Sequence, residues 1–183
     1  MKVCIFLAEG FEEIEALTVA DILRRAGIGT SLVSVTGEKQ VTSSHNITVA
    51  ADELFEDVDF AKVDMIVLPG GMPGTLNLEA HQGLMEQVDA FYREEKWLAA
   101  ICAAPSIFGH KGMLKGKKAC SFPDFESHLE GAEVVRDEVS VAGKIITSRG
   151  MGTAIPFGLE ICAQLSGSEK AQEISDKIIF RSV

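Results

Sequence analysis

Short, uninterrupted runs of apolar residues alternate along this chain with longer segments of helical period, and this alternation most constrains its fold. Lys2–Leu7, Asp64–Leu68 and Trp97–Ile101 are apolar nearly throughout, which is typical of strands buried on both faces. Strands that alternate with helices in this way form a mostly parallel sheet with helices on both sides. The sequence therefore predicts one doubly wound α/β domain over residues 1–183.

The individual elements are predicted from the same periodicity and from the Gly and Pro residues that punctuate it. The expected strands are Lys2–Leu7, Thr30–Val35, Asp64–Leu68, Trp97–Ile101 and a short one at 119–121, with a strand or hairpin over Val41–Ala50 and a two-stranded ribbon of Glu133–Ser140 and Lys144–Ser148. The expected helices are Glu12–Ala26, His81–Glu95, a segment from Cys102 to about Gly109, a segment from Pro123, Thr153–Leu165 and Ser168–Ile179.

Charge and hydropathy exclude several classes of function. Seventeen Lys and Arg residues against 27 Asp and Glu residues give a net charge of -10, without a basic block. Binding to a phosphate backbone needs a clustered cationic surface, so nucleic acid is not expected as the main ligand. No apolar run approaches the ~20 residues of a membrane span, and the first run ends at Glu9, too early for a signal peptide. A cytoplasmic protein without a membrane partner is expected.

The four cysteines, Cys4, Cys102, Cys120 and Cys162, are widely scattered. They form no C-x-x-C pair, and the histidines show no zinc-ligand spacing, so no metal site is predicted. We expect four free thiols, because a chain of this size builds a core without disulfides. Cys4 and Cys162 lie in apolar segments typical of core, whereas Cys120, near a strand end, is expected to be partly accessible.

Cys102 has the sequence context of a catalytic nucleophile. It follows the apolar strand directly, and Ala100 and Ala104 supply the small flanks that a sharp strand-to-helix turn requires. Pro105 suits the first turn of a helix, whose positive dipole end would lower the pKa of the thiol. The alternative is an ordinary buried cysteine, which is the commonest fate of this residue type.

Two other strand ends meet the same edge of the predicted sheet, where ligands bind in such folds. Gly70 and Gly71 follow the strand that ends at Leu68, and their backbone N–H groups, with that of Ala103, are candidate oxyanion donors. A simple glycine-rich turn is the alternative. Arg149 and Gly150 follow the ribbon and are expected to form a wall of the same pocket.

Glu15 is the candidate acid. At helical spacing it lines up with Val19, Ile22 and Ala26, an apolar stripe that should face the sheet. Burial there would favour the protonated carboxyl, which can donate a hydrogen bond or a proton. A solvated glutamate on a helix surface is the alternative interpretation.

Four segments together resemble the ThiJ/PfpI family, in particular its branch with a redox sensor associated with parkinsonism. These are Leu7-Ala8-Glu9-Gly10-Phe11-Glu12-Glu13-Ile14-Glu15, Val67-Leu68-Pro69-Gly70-Gly71, Ala99-Ala100-Ile101-Cys102-Ala103-Ala104-Pro105 and Thr147-Ser148-Arg149-Gly150. The resemblance implies a flavodoxin-like three-layer α/β/α sandwich, similar to class I glutamine amidotransferases, and a homodimer. It also implies that Cys102 is the reactive thiol, that Glu15 hydrogen-bonds it as a carboxylic acid, and that no cofactor is required.

Family members are described as metal-independent glyoxalases, as deglycases and as redox-regulated chaperones, and many bacterial ones carry a label from thiazole monophosphate biosynthesis. Two hypotheses follow from the resemblance: an enzyme acting on a small aldehyde or a glycated adduct, and a redox sensor or chaperone signalling through Cys102. A Cys–His peptidase is not supported, because Ala103 stands where that branch has histidine. Phe122 stands where other relatives carry a second histidine, so proton transfer is predicted to depend on Glu15.

Overall fold

A computed structural model of the protein describes residues 1–181. Its strands are β1 (Lys2–Leu7), β2 (Gly29–Ser34), β3 (Gln40–Thr42), β4 (Thr48–Ala50), β5 (Glu53–Leu54), β6 (Met65–Leu68), β7 (Trp97–Ile101), β8 (Lys118–Ala119), β9 (Glu133–Val134), β10 (Val139–Ala142) and β11 (Ile145–Ser148). Its α-helices are α1 (Glu13–Arg25), α2 (Gly74–Ala80), α3 (Gln82–Arg93), α4 (Pro105–His110), α5 (Ala154–Ser166) and α6 (Ser168–Lys177).

Seven strands form the central sheet in the order β10-β11-β7-β6-β1-β2-β5. Every pairing in it is parallel except that of β10 with β11. The carboxyl ends of β1, β6, β7 and β11 therefore lie side by side at one edge. This arrangement confirms the predicted α/β sandwich with a mostly parallel sheet.

Both faces of the sheet are buried, which explains the continuous apolar runs. Along β1, Val3, Ile5 and Leu7 belong to one hydrophobic cluster, whereas Cys4 and Phe6 belong to the cluster on the opposite face. Side chains of a strand alternate between faces, so a strand buried on both sides must be apolar at every position. Helices on the two sides of the sheet complete the two clusters.

The packing of α1 on α5 fixes the helix that carries Glu15. Gly158 of α5 faces Ile22 of α1, and a Cβ at Gly158 would lie 2.8 Å from the Ile22 Cδ1 atom. The missing side chain therefore lets the two helices approach closely. Within the described part of the chain, no helix combines the length and apolar character needed to cross a membrane.

Several predicted elements differ in detail from the observed ones. Of the expected ribbon only β10 and β11 pair with each other, because β9 pairs instead with β8 in a separate sheet. The segment from Pro123 is a 3₁₀ helix over Pro123–His128, and α4 has only six residues. The short elements α2 and β5 were not predicted, because their seven and two residues carry little periodicity.

Candidate functional site

Cys102 occupies a sharp turn at the end of β7. Its φ of +66° lies in the left-handed region, which a non-glycine residue adopts only when its surroundings hold it there. The Cys102 N–H donates to the carbonyl of Ser148 at 3.0 Å, and its own carbonyl accepts from the N–H of Phe122 at 2.8 Å. The predicted elbow is therefore present, and two backbone hydrogen bonds from separate segments hold it.

Cys102 differs from the other three cysteines in exposure. All four thiols are free, but Cys102 is partly exposed, whereas Cys4, Cys120 and Cys162 are completely buried. The expectation that Cys120 is partly accessible is wrong, because its sulfur lies in the core against Thr147. Among the cysteines, Cys102 is thus the one that a dissolved reagent reaches.

The Glu15 side chain lies in the first turn of α1 and is only 1% exposed. Its Oε2 atom accepts a 2.8 Å hydrogen bond from the Gly70 N–H. Its Oε1 atom has no hydrogen-bond partner and is buried. The Gly70 N–H thus holds the Oε2 atom in place, and the Oε1 atom remains free to form a hydrogen bond.

Gly70 lies between the acid and the thiol. A Cβ built at this glycine would lie 2.6 Å from the Cys102 Cβ and 2.8 Å from the Glu15 Oε2 atom. The two side chains therefore approach each other across a position that has room for hydrogen only. Gly70 was predicted as an oxyanion donor, and this is wrong, because its N–H is already donated to Glu15.

We expect Gly70→Ala to disrupt this arrangement. The added methyl group overlaps both functional side chains, so the free energy of unfolding should fall by about 1–3 kcal/mol, the usual cost of overpacking. Alkylation of Cys102 by iodoacetamide should change with it. Gly152→Ala is the matched control, because nothing lies within 4 Å of a Cβ there. A Gly70→Ala protein with unchanged urea unfolding and unchanged alkylation would contradict the close approach.

The glycine-rich segment after β6 also fits against the loop between β1 and α1. A Cβ at Gly71, whose φ is +92°, would lie 2.4 Å from the backbone nitrogen of Glu12. The Glu12 N–H donates to the Gly70 carbonyl at 2.9 Å, and the Gly74 N–H donates to the Gly10 carbonyl at 3.1 Å. This contact between backbones, which the sequence analysis missed, places the start of α1 against the end of β6.

The electrostatics of the acid and the thiol are coupled. Burial raises the pKa of the Glu15 carboxyl to about 7, although the neighbouring Cys102 thiol and the Gly70 N–H act in the opposite direction. Burial and the negative charge of Glu15 raise the pKa of the Cys102 thiol to about 12. The backbone N–H groups of Ala103 and Gly71 beside the sulfur oppose this rise in the pKa.

The sequence predicted that the helix dipole lowers the pKa of the Cys102 thiol. This prediction is wrong, because the pKa is raised. The helix after Cys102 begins only at Pro105, and the ionised Glu15 carboxyl works against the thiolate. A proton on Glu15 removes this repulsion and turns the carboxyl into a hydrogen-bond donor. An ionised Glu15 therefore opposes the Cys102 thiolate, and protonation of Glu15 removes this opposition.

The raised pKa of Glu15 has a consequence for stability. Its folded-state pKa of about 7 exceeds the ordinary 4.5, so the folded protein holds this proton between these values while the unfolded chain has lost it. The stabilisation is complete below pH 4.5 and disappears as the pH rises through 7. As the pH rises from 4.5 to above 7, we expect the unfolding free energy of the wild type to fall by about 3 kcal/mol relative to that of Glu15→Gln. Urea titrations at several pH values measure it, and a constant difference would contradict the raised pKa.

The predicted pocket wall is only partly assembled around the thiol. Gly150 lies beside Phe122, since a Cβ built there would be 3.6 Å from the ring, and Phe122 is 42% exposed. Met151 is exposed as well. Arg149 is half-buried, and its Nε atom has no hydrogen-bond partner among residues 1–181. The exposed side chains beside the elbow are therefore apolar where Phe122 takes the place of a histidine.

Several surface clefts are formed by other parts of the molecule. They lie between α5 and α6, beside α1, beside β7 and at the end of α3, and neither Cys102 nor Glu15 lines them. One group of three side chains in the described part has the spacing of metal ligands: Glu12, Glu13 and His45, with ligand atoms within 4.8 Å of one another. An ion pair of 3.0 Å between His45 and Glu13 accounts for this group without a metal ion.

Comparison with known proteins agrees with this geometry. The model of the DJ-1/PfpI family matches residues 1–164. The chain belongs to the DJ-1/PfpI family. The family name covers the same proteins as the ThiJ/PfpI resemblance, which is therefore confirmed.

Individual relatives place the chain in the DJ-1 branch of the DJ-1/PfpI family. It is 40% identical over 182 residues to protein DJ-1 homolog B of Arabidopsis thaliana. The matched region is 98% of this chain but only 42% of that longer relative. It is 32% identical over 180 residues to the glutathione-independent glyoxalase DJ-1 of Schizosaccharomyces pombe, covering 93% of the chain and 94% of the relative. The oxidized Toxoplasma gondii DJ-1 structure superimposes with a TM-score of 0.94, at 34% identity and 99% coverage of both chains.

Proposed function

We propose that this protein is a cysteine-dependent enzyme that acts on small reactive carbonyls, of the cofactor-independent glyoxalase or deglycase type. The observation that carries the proposal is the pairing of a partly exposed elbow cysteine with a buried carboxyl across Gly70. The printed name of the Schizosaccharomyces pombe relative, a glutathione-independent glyoxalase, supports the same class of reaction.

The nucleophile in this proposal is the Cys102 thiolate. Its formation is opposed least when Glu15 is protonated, and the pKa of about 7 leaves part of the Glu15 carboxyl in that form near neutral pH. The N–H groups of Gly71 and Ala103 stabilise the negative sulfur. A thiolate, rather than a thiol, is the species that attacks an aldehyde carbon.

For a 2-oxoaldehyde such as methylglyoxal, the reaction balances with water as the only co-reactant. The sulfur adds to the aldehyde carbon, and the proton of Glu15 passes to the resulting oxyanion, giving a hemithioacetal. The Glu15 carboxylate then removes the proton from that carbon and returns one to the neighbouring carbon, while the hydroxyl proton passes to the ketone oxygen, leaving a thioester of the 2-hydroxy acid. Water hydrolyses the thioester, which releases lactate and restores the thiol.

Glu15 must carry these proton transfers in the proposal, because the neighbouring positions offer no imidazole. Ala103 and Phe122 occupy the two places where a histidine would stand beside the cysteine. The exposed apolar ring of Phe122 beside the elbow favours a small substrate that needs little polar recognition. The homodimer and the cytoplasmic location implied by the sequence are part of the same proposal.

The test is turnover of methylglyoxal by protein kept in a chelator and without glutathione. We expect lactate to accumulate in proportion to protein concentration, as measured by enzymatic detection of lactate and by loss of the dicarbonyl absorbance. One-to-one consumption of methylglyoxal without release of lactate would mean that the thiol only forms an adduct, and it would overturn the enzymatic proposal.

A redox sensor or chaperone is the second candidate, and the exposure of Cys102 favours it. Oxidation of a cysteine follows thiolate character and access, and Cys102 is the partly exposed one of the four. The Oε1 atom of Glu15 is buried and has no hydrogen-bond partner, so a protonated carboxyl keeps one donor for an oxygen added to the nearby sulfur. Both candidates thus require the same two side chains.

Mild hydrogen peroxide should therefore oxidise Cys102 first. Intact mass is expected to rise by two oxygen atoms, and peptide mapping should place them on Cys102 before Cys4, Cys120 or Cys162 react, because those three side chains are buried. Cys102→Ser protein under the same treatment is the control and should stay unmodified. Oxidation of Cys120 ahead of Cys102 would contradict the assignment of the reactive thiol.

A further inference from the structure

Two histidines that are 18 positions apart in the sequence meet on the surface of the molecule. His110 is the last residue of α4, and His128 is the last residue of the 3₁₀ helix Pro123–His128. The His110 Nε2 atom lies 3.1 Å from the His128 Nδ1 atom, and the two rings are inclined by 78°. Neither side chain takes part in the carbonyl chemistry proposed above.

A carboxylate sets the tautomer of one ring. The Glu79 Oε1 atom lies 2.7 Å from the His110 Nδ1 atom, so the Nδ1–H group donates a hydrogen bond to the carboxylate. The other nitrogen of His110, Nε2, then presents its lone pair toward His128. A histidine held by a carboxylate through one nitrogen, with the other nitrogen free to coordinate, is the common arrangement around protein-bound metal ions.

The spacing of the two nitrogens also suits a shared ion. With metal–nitrogen bonds of about 2.0–2.1 Å, nitrogens 3.1 Å apart subtend an angle of about 95–102° at the ion. This value lies between the square-planar and tetrahedral angles that Cu²⁺ and Zn²⁺ prefer. Both rings are partly or fully exposed, so water can fill the remaining positions.

The site is held by the backbone as well as by the side chains. Gly109 packs directly on the segment of His128, because a Cβ at this glycine would lie 2.0 Å from the His128 carbonyl oxygen. The two helix ends are therefore in contact before any ion binds. Little conformational freedom is lost on coordination, which favours binding.

We propose that His110 and His128 form a binding site for a divalent transition-metal ion such as Zn²⁺ or Cu²⁺, with Glu79 holding His110 from the second sphere. On binding, the His128 ring loses its Nδ1 proton to solvent and takes up one proton from solvent at Nε2, so that the His110 Nε2 and His128 Nδ1 atoms both donate lone pairs to the ion. This inference does not depend on the proposed carbonyl activity.

The ion would also join the two segments that leave the elbow. The helix α4 starts three residues after Cys102, and the 3₁₀ helix follows Phe122, whose N–H binds the Cys102 carbonyl. An ion bound at their far ends adds a second link between them. Binding to the folded state alone stabilises that state, so the midpoint of thermal unfolding should rise with metal concentration.

The test is a calorimetric titration of ZnCl₂ into Cys102→Ser protein, a background that removes the accessible thiol as a competing ligand. We expect one equivalent to bind, with affinity lowered at least ~10-fold in His128→Asn and in His110→Asn, and by ~10–100-fold in Glu79→Gln. His81→Asn is the matched control. His81 caps α3 through its Nδ1 atom, and asparagine is itself a good N-cap.

A second measurement addresses the ligands directly. The EPR spectrum of one equivalent of Cu²⁺ should show coupling to two imidazole nitrogens, reduced to one in His128→Asn. Three results would overturn the proposal: no Zn²⁺ binding at millimolar concentration, unchanged affinity in both histidine variants, or loss of binding in His45→Asn. The last result would assign the ion to the Glu12–Glu13–His45 group instead.

Discussion

Cys102→Ser should lower the turnover of methylglyoxal by on the order of 10³-fold or more. Removal of the nucleophile in covalent catalysis abolishes the pathway through the enzyme-bound intermediate, and what remains comes from binding alone. Serine keeps the shape of cysteine, but its hydroxyl remains protonated under conditions that form a thiolate. Steady-state lactate formation under saturating methylglyoxal measures the effect.

Cys120→Ser provides the matched control for this substitution. Cys120 is completely buried, and its sulfur donates to the Thr147 carbonyl at 3.3 Å, a contact that serine can retain. We expect turnover in this variant to stay within a few-fold of the wild type. Retention of turnover in Cys102→Ser, or its loss in Cys120→Ser alone, would show that a different group attacks the carbonyl.

Much of the sheet could be predicted because its strands are buried on both faces. The predicted boundaries of β1 and β7, and those of α1 to within one residue, agree with the structure. The short strands β5, β8 and β9 have two residues each, and their pairing depends on neighbours far away in the sequence. Such elements carry no periodicity that a sequence could display.

In the candidate site, too, features that depend on local sequence patterns could be predicted, whereas contacts between distant residues could not. The small residues around Cys102 and the apolar stripe below Glu15 are local patterns, and each leads to a side chain that the fold brings to the same place. The hydrogen bond from Gly70 to Glu15 joins residues separated by 55 positions, and no local pattern announces it. The contact between His110 and His128 was missed for the same reason, because their spacing in sequence is not that of a metal motif.

Glu15 connects the fold to the chemistry more closely than Cys102 does. Its burial raises its pKa to about 7, and an ionised carboxyl at this position opposes both the folded state and the thiolate. A buried carboxyl that lowers stability above pH 7 is typical of a residue placed for chemistry rather than for folding. The substitution that tests this idea is Glu15→Gln.

Glu15→Gln should reduce carbonyl turnover by ~10²–10⁴-fold, the usual contribution of a positioned acid–base group. The amide keeps the size of the carboxyl and can still accept the Gly70 hydrogen bond, but it exchanges no proton. Alkylation of Cys102 by iodoacetamide should continue, because the Gly71 and Ala103 N–H groups remain in place. Glu15→Asp, whose carboxyl is shorter by one methylene group, should give an intermediate loss.

Stability separates a chemical from a structural cause of this loss. Without the buried carboxylate, Glu15→Gln is expected to unfold at a higher urea concentration than the wild type at pH 8, so lower turnover there cannot arise from unfolding. The same experiment distinguishes the two candidate functions. Undiminished turnover in folded Glu15→Gln protein would refute the acid–base role, whereas lost turnover with intact peroxide oxidation of Cys102 would assign proton transfer to Glu15 and redox sensitivity to the thiol alone.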